Sequence, residues 1–404
     1  MLLSLRAYSQ QLTYHEPHVQ ADYIRQSLSH DKRPIGVFIG AGCPLGVRVT
    51  RSGRDEPLIP DIAGMTVHVD RVLRSSAHKN IYELVQKHFS DDGLPVPNVE
   101  QLLSHVRFLK QVAGKDKARN ISAVDAETLD ATICNELAKM ADQRLPSLET
   151  PYHKLAAWTG AINRSFPVEI FTTNYDLLIE EALESNRVPY FDGFIGAKDS
   201  FLDLQAMEGD VLPPRWARLW KIHGSLTWSE DPSGNVHRGG TSGSRRLIYP
   251  SHLKYDESRR MPYLAMLDRL RGFVRQPASV LIVSGYSFSD DHLNEIIVQG
   301  LQGNATAAAF ALMYGTLDNY PSLIQLAQNR ANLSVLGADK AVIGTRLAEW
   351  TRGRPATHCQ TSSAIEWIDD PDQPGTKKAL FMLVDFRVLA AFAADLVGEQ
   401  QRKA

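Results

Sequence analysis

The sequence feature that most constrains the fold is a recurring alternation of short apolar runs and helical segments. The run from Ile35 to Ile39 has no helical period and is bounded by Pro34 and three glycines, which is typical of a buried strand ending in a tight turn. Six later runs have the same character: "VEIFTTN", "RLWKIHGS", "RRLIYPS", "ASVLIVSGYSF", "AAAFALMYG" and "NLSVLG". Helical patterns such as "YDLLIEEALES" and "DDHLNEIIVQGLQ" follow several of them. This alternation predicts an α/β fold, a doubly wound Rossmann-like parallel sheet.

A helical block interrupts the strand-like runs from about Gly64 to Ala161. It contains the patterns "NIYELVQKHF", "NVEQLLSHVRFLKQV" and "DAETLDATICNELAKMA", and Asn98 followed by Glu100 is typical of a helix start. We therefore expect an inserted helical subdomain over residues 64–164. The sheet domain would occupy residues 1–63 and 165–350, and residues 351–404 would form a C-terminal extension.

The C-terminal extension contains "ALFMLVDFRVLAAFAADLVGEQ", whose apolar residues cover more than one helical face. Such a helix must be covered on several sides. Two interpretations remain open at this point. The helix packs on its own domain, or it contacts another subunit or a partner protein.

Composition excludes several classes of protein. The 404 residues carry a formal net charge of -2, which gives no overall electrostatic reason to expect nucleic acid or an acidic membrane as partner. Cys43, Cys134 and Cys359 are too few and too far apart for a disulfide framework or a four-cysteine zinc site. No apolar run approaches the ~20 residues that span a bilayer. We expect a cytoplasmic protein with no metal, neither exported nor membrane-spanning.

Small and polar residues follow the first two of these strands. Gly40-Ala41-Gly42 would let backbone amides approach a phosphate, although such turns also occur for steric reasons alone. After the next strand, Thr172, Thr173, Asn174 and Asp176 crowd the end where an open sheet binds ligands. One of these side chains can cap the following helix. A cap does not need the other three polar side chains, which are therefore candidate ligand-binding groups.

Two further strand ends carry candidate groups. His223 is followed by Gly224 and Ser225, and it is either a hydrogen-bonded structural residue or a base that titrates near neutrality. In "VLIVSGYSFSDDHL", Ser284 and Gly285 would face a nucleotide ribose, whereas the two aspartates are expected to cap the next helix.

Together, "GAG", "TTNYD", "HGS" and "SGYSFSD" resemble the sirtuin family. They resemble more closely the sirtuin-like (Sir2-like) domain of many bacterial antiviral defence proteins, in which such segments recur in this order. The resemblance covers roughly Pro34 to Trp350. It implies NAD as substrate, with the roles carried over by position. The glycine turn would hold the pyrophosphate, Asn174 and Asp176 would lie at the nicotinamide ribose, and His223 would act on that ribose.

The remaining candidate binding residues follow from the same resemblance. Ser284 and Gly285 would lie near the adenosine ribose, and Thr173 stands where sirtuins often carry a glutamine. Two departures concern the deacylating sirtuins, because this chain has no CxxC motif and "CPLGVRVTRSGR" replaces their "GIPDFR"-like stretch. These losses weaken the case for an acyl-lysine channel.

The residues and the resemblance lead to the hypothesis of an NAD glycohydrolase that releases nicotinamide and ADP-ribose. The alternatives are a module that senses NAD or ADP-ribose without turnover and, less favoured, a protein deacylase. The resemblance also implies antiviral defence by NAD depletion, a homo-oligomer, and a HerA-like hexameric ATPase as partner. The apolar C-terminal segment is the candidate contact surface.

Overall fold

The computed structural model describes residues 14–161, 164–209, 211–231, 233–239, 244–247, 261–353 and 361–401. Within these residues the chain forms twelve α-helices, in chain order α1 (Pro17–Ser29), α2 (Ile62–Arg74), α3 (Lys79–Asp91), α4 (Val99–Ala113), α5 (Ala123–Ala141), α6 (Pro151–Ala161), α7 (Leu178–Ser185), α8 (Leu204–Gly209), α9 (Tyr263–Arg275), α10 (Asp291–Gly303), α11 (Pro321–Gln328) and α12 (Phe386–Gln401). None of the described helices is long and apolar enough to cross a membrane.

The described strands are, in chain order, β1 (Ile35–Ile39), β2 (Arg48–Arg51), β3 (Arg54–Pro57), β4 (Lys117–Ala118), β5 (Ile121–Ser122), β6 (Val168–Thr172), β7 (Tyr190–Phe191), β8 (Phe194–Ile195), β9 (Phe201–Leu202), β10 (Ala217–Lys221), β11 (Gly224–Glu230), β12 (Val236–Arg238), β13 (Ser244–Leu247), β14 (Val280–Ser284), β15 (Ala308–Leu312), β16 (Leu333–Leu336), β17 (Lys340–Ile343), β18 (Arg346–Glu349), β19 (Arg352–Gly353), β20 (Ile365–Asp369) and β21 (Lys377–Phe381).

Nine strands form the central sheet, in the order β18-β17-β16-β15-β14-β1-β6-β10-β7. The seven strands from β16 to β7 are parallel, and β17 and β18 add an antiparallel hairpin at one edge. The chain continues from β1 to β6 on one side of β1 and later returns to β14 on the other side. The strand order therefore reverses at β1, and the predicted doubly wound parallel sheet is confirmed. Open α/β sheets bind ligands at such a reversal.

The register of the sheet aligns the last residues of four neighbouring strands. Ile39 of β1 pairs with Thr172 of β6 on one side and with Ser284 of β14 on the other, and Thr172 pairs with Lys221 of β10. Adjacent strands lie about 4.8 Å apart. The segments that follow these four residues therefore leave the sheet side by side at one edge.

Helices cover both faces of the sheet, because successive strand residues point to opposite sides. Val37 and Ile170 belong to one core cluster, which includes buried residues of α1, α6, α7 and α12. Phe38 and Phe171 belong to the other, which includes buried residues of α9, α10 and α11. Burial on both faces of the sheet thus explains why β1 and β6 are apolar at most positions.

Helices α2 to α5 share a third core cluster, which includes Val69, Tyr82, Leu103 and Leu129. Asn98 caps α4 by accepting a hydrogen bond from the Gln101 amide at 2.9 Å. Helix α6 also lies within the predicted insertion of residues 64–164, yet its buried residues pack with the sheet. The part of that segment with a core of its own is α2 to α5.

One predicted strand lies outside the central sheet. The first three residues of the run "RRLIYPS" belong to β13, which pairs with β11 in a separate antiparallel sheet that also contains β12, and the rest of the run lies outside the described residues. The described residues between "LTWS" and β13 belong to the hairpin that β11 forms with β12.

The C-terminal segment differs from the predicted continuous helix over Ala379 to Val397. Its first residues form β21, which pairs with β19 and β20, and α12 begins only at Phe386. Asp385 starts the helix by accepting a hydrogen bond from the Arg387 amide at 2.8 Å. Leu389 and Phe392 of α12 are buried in the cluster that contains α6. The apolar pattern that suggested a partner contact is therefore accounted for by packing within the chain.

Candidate functional site

A cavity of about 970 Å³ opens at the carboxyl ends of the central strands, where the strand order reverses. The residues predicted for a site that line it are Ala41, Gly42, Thr173, Asn174, Asp176, His223, Ser284 and Gly285. Gly40 lies behind this wall and contacts it through hydrogen bonds. The four strand ends singled out in the sequence thus meet at one cavity.

The glycines after β1 are required by the packing of one turn on another. A Cβ atom on Gly40 would lie 2.3 Å from the carbonyl oxygen of Gly285, and one on Gly42 would lie 2.9 Å from the Gly285 Cα atom. Gly285 itself has a φ of +66°, in the left-handed region that favours glycine. The sequence suggested that these glycines clear space for a phosphate. The structure gives a steric reason for them, because backbone meets backbone.

Three amides of this turn already have acceptors within the chain. The Gly40 amide donates to the Ser284 carbonyl at 2.9 Å, the Gly42 amide to the Gly285 carbonyl at 2.8 Å, and the Cys43 amide to the Gly40 carbonyl at 3.0 Å. A phosphate would have to break these bonds before it could use the same donors.

The loop after β6 is fixed by its own polar side chains. Thr172 Oγ1 donates to the Ile39 carbonyl at 2.8 Å and accepts from the Asn174 amide at 3.0 Å. Asn174 Nδ2 donates to the Gly40 carbonyl at 3.1 Å. Asn174 is buried, and its backbone and side chain both have partners. The hydrogen bonds to Thr172 and Gly40 thus fix Asn174 at the cavity wall.

A buried ion pair lies beneath the same loop. The Lys221 ammonium, at the end of β10, donates to Glu180 Oε1 at 2.7 Å and to the Asp176 carbonyl oxygen. Lys221 is 1% exposed. Burial raises the pKa of both Asp176 and Glu180, and the positive charge of Lys221 opposes that rise. Asp176 Oδ1 also accepts from the Leu178 amide at 3.1 Å, as expected for a residue at a helix start.

His223 faces a carboxylate that the sequence did not connect with it. Its Nε2 atom lies 3.6 Å from Asp290 Oδ2, a distance for an ion pair rather than a hydrogen bond. Asp290 was predicted to cap a helix, and its Oδ1 atom does accept from the Leu293 amide of α10 at 3.3 Å. One carboxylate thus serves the helix with one oxygen and faces the imidazole with the other.

Ser284 offers a hydroxyl without a partner. The residue is 1% exposed, ends β14 and lines the cavity, and its Oγ atom has no hydrogen-bond partner in the described protein. An unpaired buried hydroxyl is costly. A hydroxyl group of a bound ligand would satisfy it, which fits the expectation of a ribose near this strand end.

Two further segments line the cavity although neither was predicted to belong to the site. The first is 59–62, where Asp61 caps α2 by accepting from the Gly64 amide at 2.8 Å. Its letters "IPD", which follow the β2–β3 hairpin, also occur in the "GIPDFR"-like stretch that was expected directly after the glycines. The letters were a usable signal. The second is 384–387, just before and within α12, for which the sequence held no signal because it is distant along the chain.

Charged groups are distributed unevenly around the cavity. Six carboxylates line it: Asp55, Asp61, Glu100, Asp176, Asp290 and Asp385. Among the residues that the structure describes, two arginines, Arg48 and Arg387, line the cavity and no lysine does. The described residues contain no group of three or more His, Cys, Asp or Glu side chains that could hold a metal ion.

Comparison with curated proteins gave no significant match. Several solved structures are similar at low identity. One is a structure described as the structural basis for the mechanism and regulation of Sir2 enzymes. It shares 13% sequence identity over 74% of this chain and 85% of that chain, with a TM-score of 0.33. A Sir2 homologue in complex with NAD shares 14% sequence identity over 78% of this chain and 87% of that chain, with a TM-score of 0.30. A mutant Sir2 homologue in complex with ADP-ribose shares 13% sequence identity over 74% of this chain and 88% of that chain, with a TM-score of 0.30.

The sequence comparison with protein families locates the similarity within the chain. A family model described as the SIR2-like domain matches residues 168–334. The matched range contains Asn174, His223 and Ser284, and therefore three of the four strand ends at the cavity. Residues 168–334 are thus similar to the SIR2-like domain.

Proposed function

We propose that the protein is a hydrolase of the N-glycosidic bond of NAD and that it releases nicotinamide and ADP-ribose. The observation that carries this proposal is the meeting of Asn174, Asp176 and His223 at one cavity, each just beyond the end of a neighbouring strand. The match of residues 168–334 to the SIR2-like domain supports NAD as the ligand. The cavity volume falls in the range of about 300–1,000 Å³ that ligand pockets occupy.

The proposed reaction places definite demands on the site. The bond between ribose C1′ and the nicotinamide nitrogen breaks, its electron pair neutralises the pyridinium ring, and positive charge develops on the ribose. Water then forms the new bond to C1′ and loses a proton. Fixed negative groups near the ribose lower the barrier to such charge development. Asp176 and Asp290 line the cavity, and we propose that they supply such groups.

Each proposed residue has a separate task. Asn174, fixed through its bond to Gly40, positions the ribose or the attacking water. His223 accepts the proton from that water or polarises a ribose hydroxyl, and Asp290 supports the positive charge that the imidazole then carries. Asp176 orients the ribose or the nicotinamide carboxamide. The hydroxyl of Ser284 pairs with a ribose hydroxyl at the adenosine end, beside Gly285.

Free nicotinamide and ADP-ribose are the products to measure when purified protein is incubated with NAD. Release of both in equal amounts without an acylated peptide supports the hydrolase. Binding of NAD with no release supports the alternative, a sensing module. Nicotinamide release that depends on an acylated peptide supports a deacylase, and either of the last two results contradicts the hydrolase.

The wider role that we propose is antiviral defence by NAD depletion, with self-association and a HerA-like hexameric ATPase as the activating partner. This part rests on the resemblance of the four motifs alone. It is tested by adding a purified HerA-like ATPase to the NAD assay. Co-elution of the two proteins with increased NAD cleavage supports the role, and unchanged cleavage without co-elution contradicts it.

A further inference from the structure

We propose that Arg48 and Arg387 bind the diphosphate of NAD, an inference that rests on the proposed function. A diphosphate carries two negative charges and needs cationic or amide donors. Three amides of the glycine turn already have acceptors, as described above. Among the described residues, the two arginines are the lysine or arginine side chains on the cavity wall, so they are the cations within reach of such a ligand.

Arg387 reaches the turn after β1 from the C-terminal segment. Its Cγ atom lies 3.2 Å from the position that a Cβ atom on Gly46 would take, so its aliphatic stem rests on that turn. The guanidinium is held by Asp385, with Nη2 at 2.6 Å from Oδ2 and Nε at 3.1 Å from both carboxylate oxygens. The Arg387 side chain is nevertheless 55% exposed and accessible from the cavity mouth.

Arg48 forms a matching pair on the β2–β3 hairpin. Its Nε atom donates to Asp55 Oδ2 at 2.9 Å, and its Nη2 atom donates to the Asp55 carbonyl oxygen at 2.8 Å. Arg387 contacts Gly46, two residues before Arg48, and both ion pairs line the same cavity, so the two pairs are neighbours. Two arginines and two aspartates therefore form one charged rim beside the turn. We call these four residues the arginine rim.

The arginine rim and the opposite wall together suit a ligand with separated charges. NAD carries its negative charge on the diphosphate and a positive charge on the nicotinamide ring. The rim supplies the cavity's arginines, whereas Asp176 and Asp290 lie with His223 at the other strand ends. With the diphosphate at the rim and the nicotinamide beside His223, the phosphates meet the cavity's two arginines and the positive ring lies on the side of Asp176 and Asp290.

The aspartates of the rim both orient the arginines and compete with the ligand. Arg48 and Asp55 are both exposed, and exposed ion pairs stabilise folded proteins only slightly. Asp385 is buried, but more than half of the Arg387 side chain is exposed, so each guanidinium can offer a donor to a phosphate. The carboxylate meanwhile repels the incoming diphosphate. Removing the arginine should therefore weaken ligand binding, and removing the charge of its aspartate should strengthen it. A purely structural pair would lose function in both variants.

The experiment measures the Kd of ADP-ribose by calorimetry on the full chain. Arg387→Gln should raise Kd about tenfold, the loss expected for one charge-assisted contact. Arg387→Lys should fall between this variant and the wild type, and Asp385→Asn, whose amide oxygen still accepts from the Arg387 amide, should lower Kd. Arg48→Gln and Asp55→Asn repeat the test on the hairpin. Arg74→Gln is the matched control, because Arg74 pairs with Asp70 on α2 outside the cavity.

The results separate this inference from the proposed function. If Arg387→Gln and Arg48→Gln bind ADP-ribose as the wild type does, or if Asp385→Asn weakens binding as much as Arg387→Gln, the arginine rim does not bind the diphosphate. In that case the wild type still releases nicotinamide from NAD. If the wild type neither binds ADP-ribose nor releases nicotinamide, the proposed function itself is wrong.

Discussion

The side-chain amide of Asn174 donates a hydrogen bond to the carbonyl oxygen of Gly40 and so joins the loops that follow β6 and β1. The two residues lie 134 positions apart in the chain, and both leave the sheet from paired strands. This bond fixes the orientation of a side chain that we place at the reacting ribose.

Asn174→Ala should lower the rate of NAD cleavage by about 10²–10⁴-fold, the usual loss for a positioned group in a reaction of this kind. Nicotinamide release under saturating NAD measures the effect. Asn329→Ala serves as the control, because Asn329 follows α11 outside the cavity. Cleavage at the wild-type rate by a folded Asn174→Ala protein contradicts the role given to this residue.

Asp290→Asn tests the carboxylate that faces His223. Asparagine caps helices as well as aspartate does, so the stability of the variant should match the wild type. Loss of the negative charge beside the imidazole should lower kcat for NAD by about tenfold. Asp290→Ala should show the same kinetic loss and also lose about 1 kcal/mol of stability through the missing cap. If both variants retain full kcat, Asp290 has only a capping role.

Glu180→Gln tests the buried pair beneath the loop through the pH dependence of stability. Burial raises the pKa of Glu180 above its ordinary value of 4.5, so the folded protein holds a proton that the unfolded chain has lost. The stability contributed by this group is therefore present below pH 4.5 and is lost as the pH rises through the raised value. The free energy of unfolding of the wild type, relative to Glu180→Gln, should fall as the pH is raised.

Glu136→Gln provides a control of opposite sign. Hydrogen bonds from Lys139 and His68 lower the pKa of Glu136, so its contribution is present above pH 4.5 and is lost as the pH falls. Denaturant unfolding of the three proteins between pH 3 and 8 gives both slopes, because the Glu136 contribution changes below pH 4.5 and the Glu180 contribution above it. The same slope for the two variants would show that burial does not govern Glu180.

Gly40→Ala should destabilise the protein by about 3 kcal/mol or more, because the new methyl group meets rigid backbone at Gly285. Gly272→Ala is the control, since this exposed glycine of α9 has no atom within 4 Å of the added Cβ. That substitution should stabilise the protein by about 0.5–1 kcal/mol. Thermal unfolding compares the two. A Gly40→Ala protein as stable as the wild type would mean that the two turns separate easily.

The central strands could be predicted because they are buried on both faces. The run Ile35 to Ile39 coincides with β1, and the next apolar run contains β6, since every residue of these two strands is buried and most are apolar. Alternation with helices then indicated parallel strands. The hairpin of β17 and β18 was not predicted, because it lies at the sheet edge and has exposed or half-buried positions, so it lacks a continuous apolar run.

The candidate site could be predicted only as far as strand ends show it. Asn174 and His223 follow apolar runs directly, and so they could be assigned to one edge. The contact of His223 with Asp290 depends on the path of the loop after β14, which no periodicity records. Arg387 was missed because its position at the cavity depends on where α12 packs.

The wall formed by Asp385 and Arg387 also has a consequence for synthesis of the protein. Ribosomes add about 5–20 residues per second, so the roughly 50 residues between the end of β16 and Arg387 take about 3–10 s to be made. During that time a nascent chain has all the strands that parallel pairing requires but lacks the last side of the cavity. The cavity of a chain arranged in this way stays incomplete until the segment that contains Asp385 and Arg387 has left the ribosome and packed.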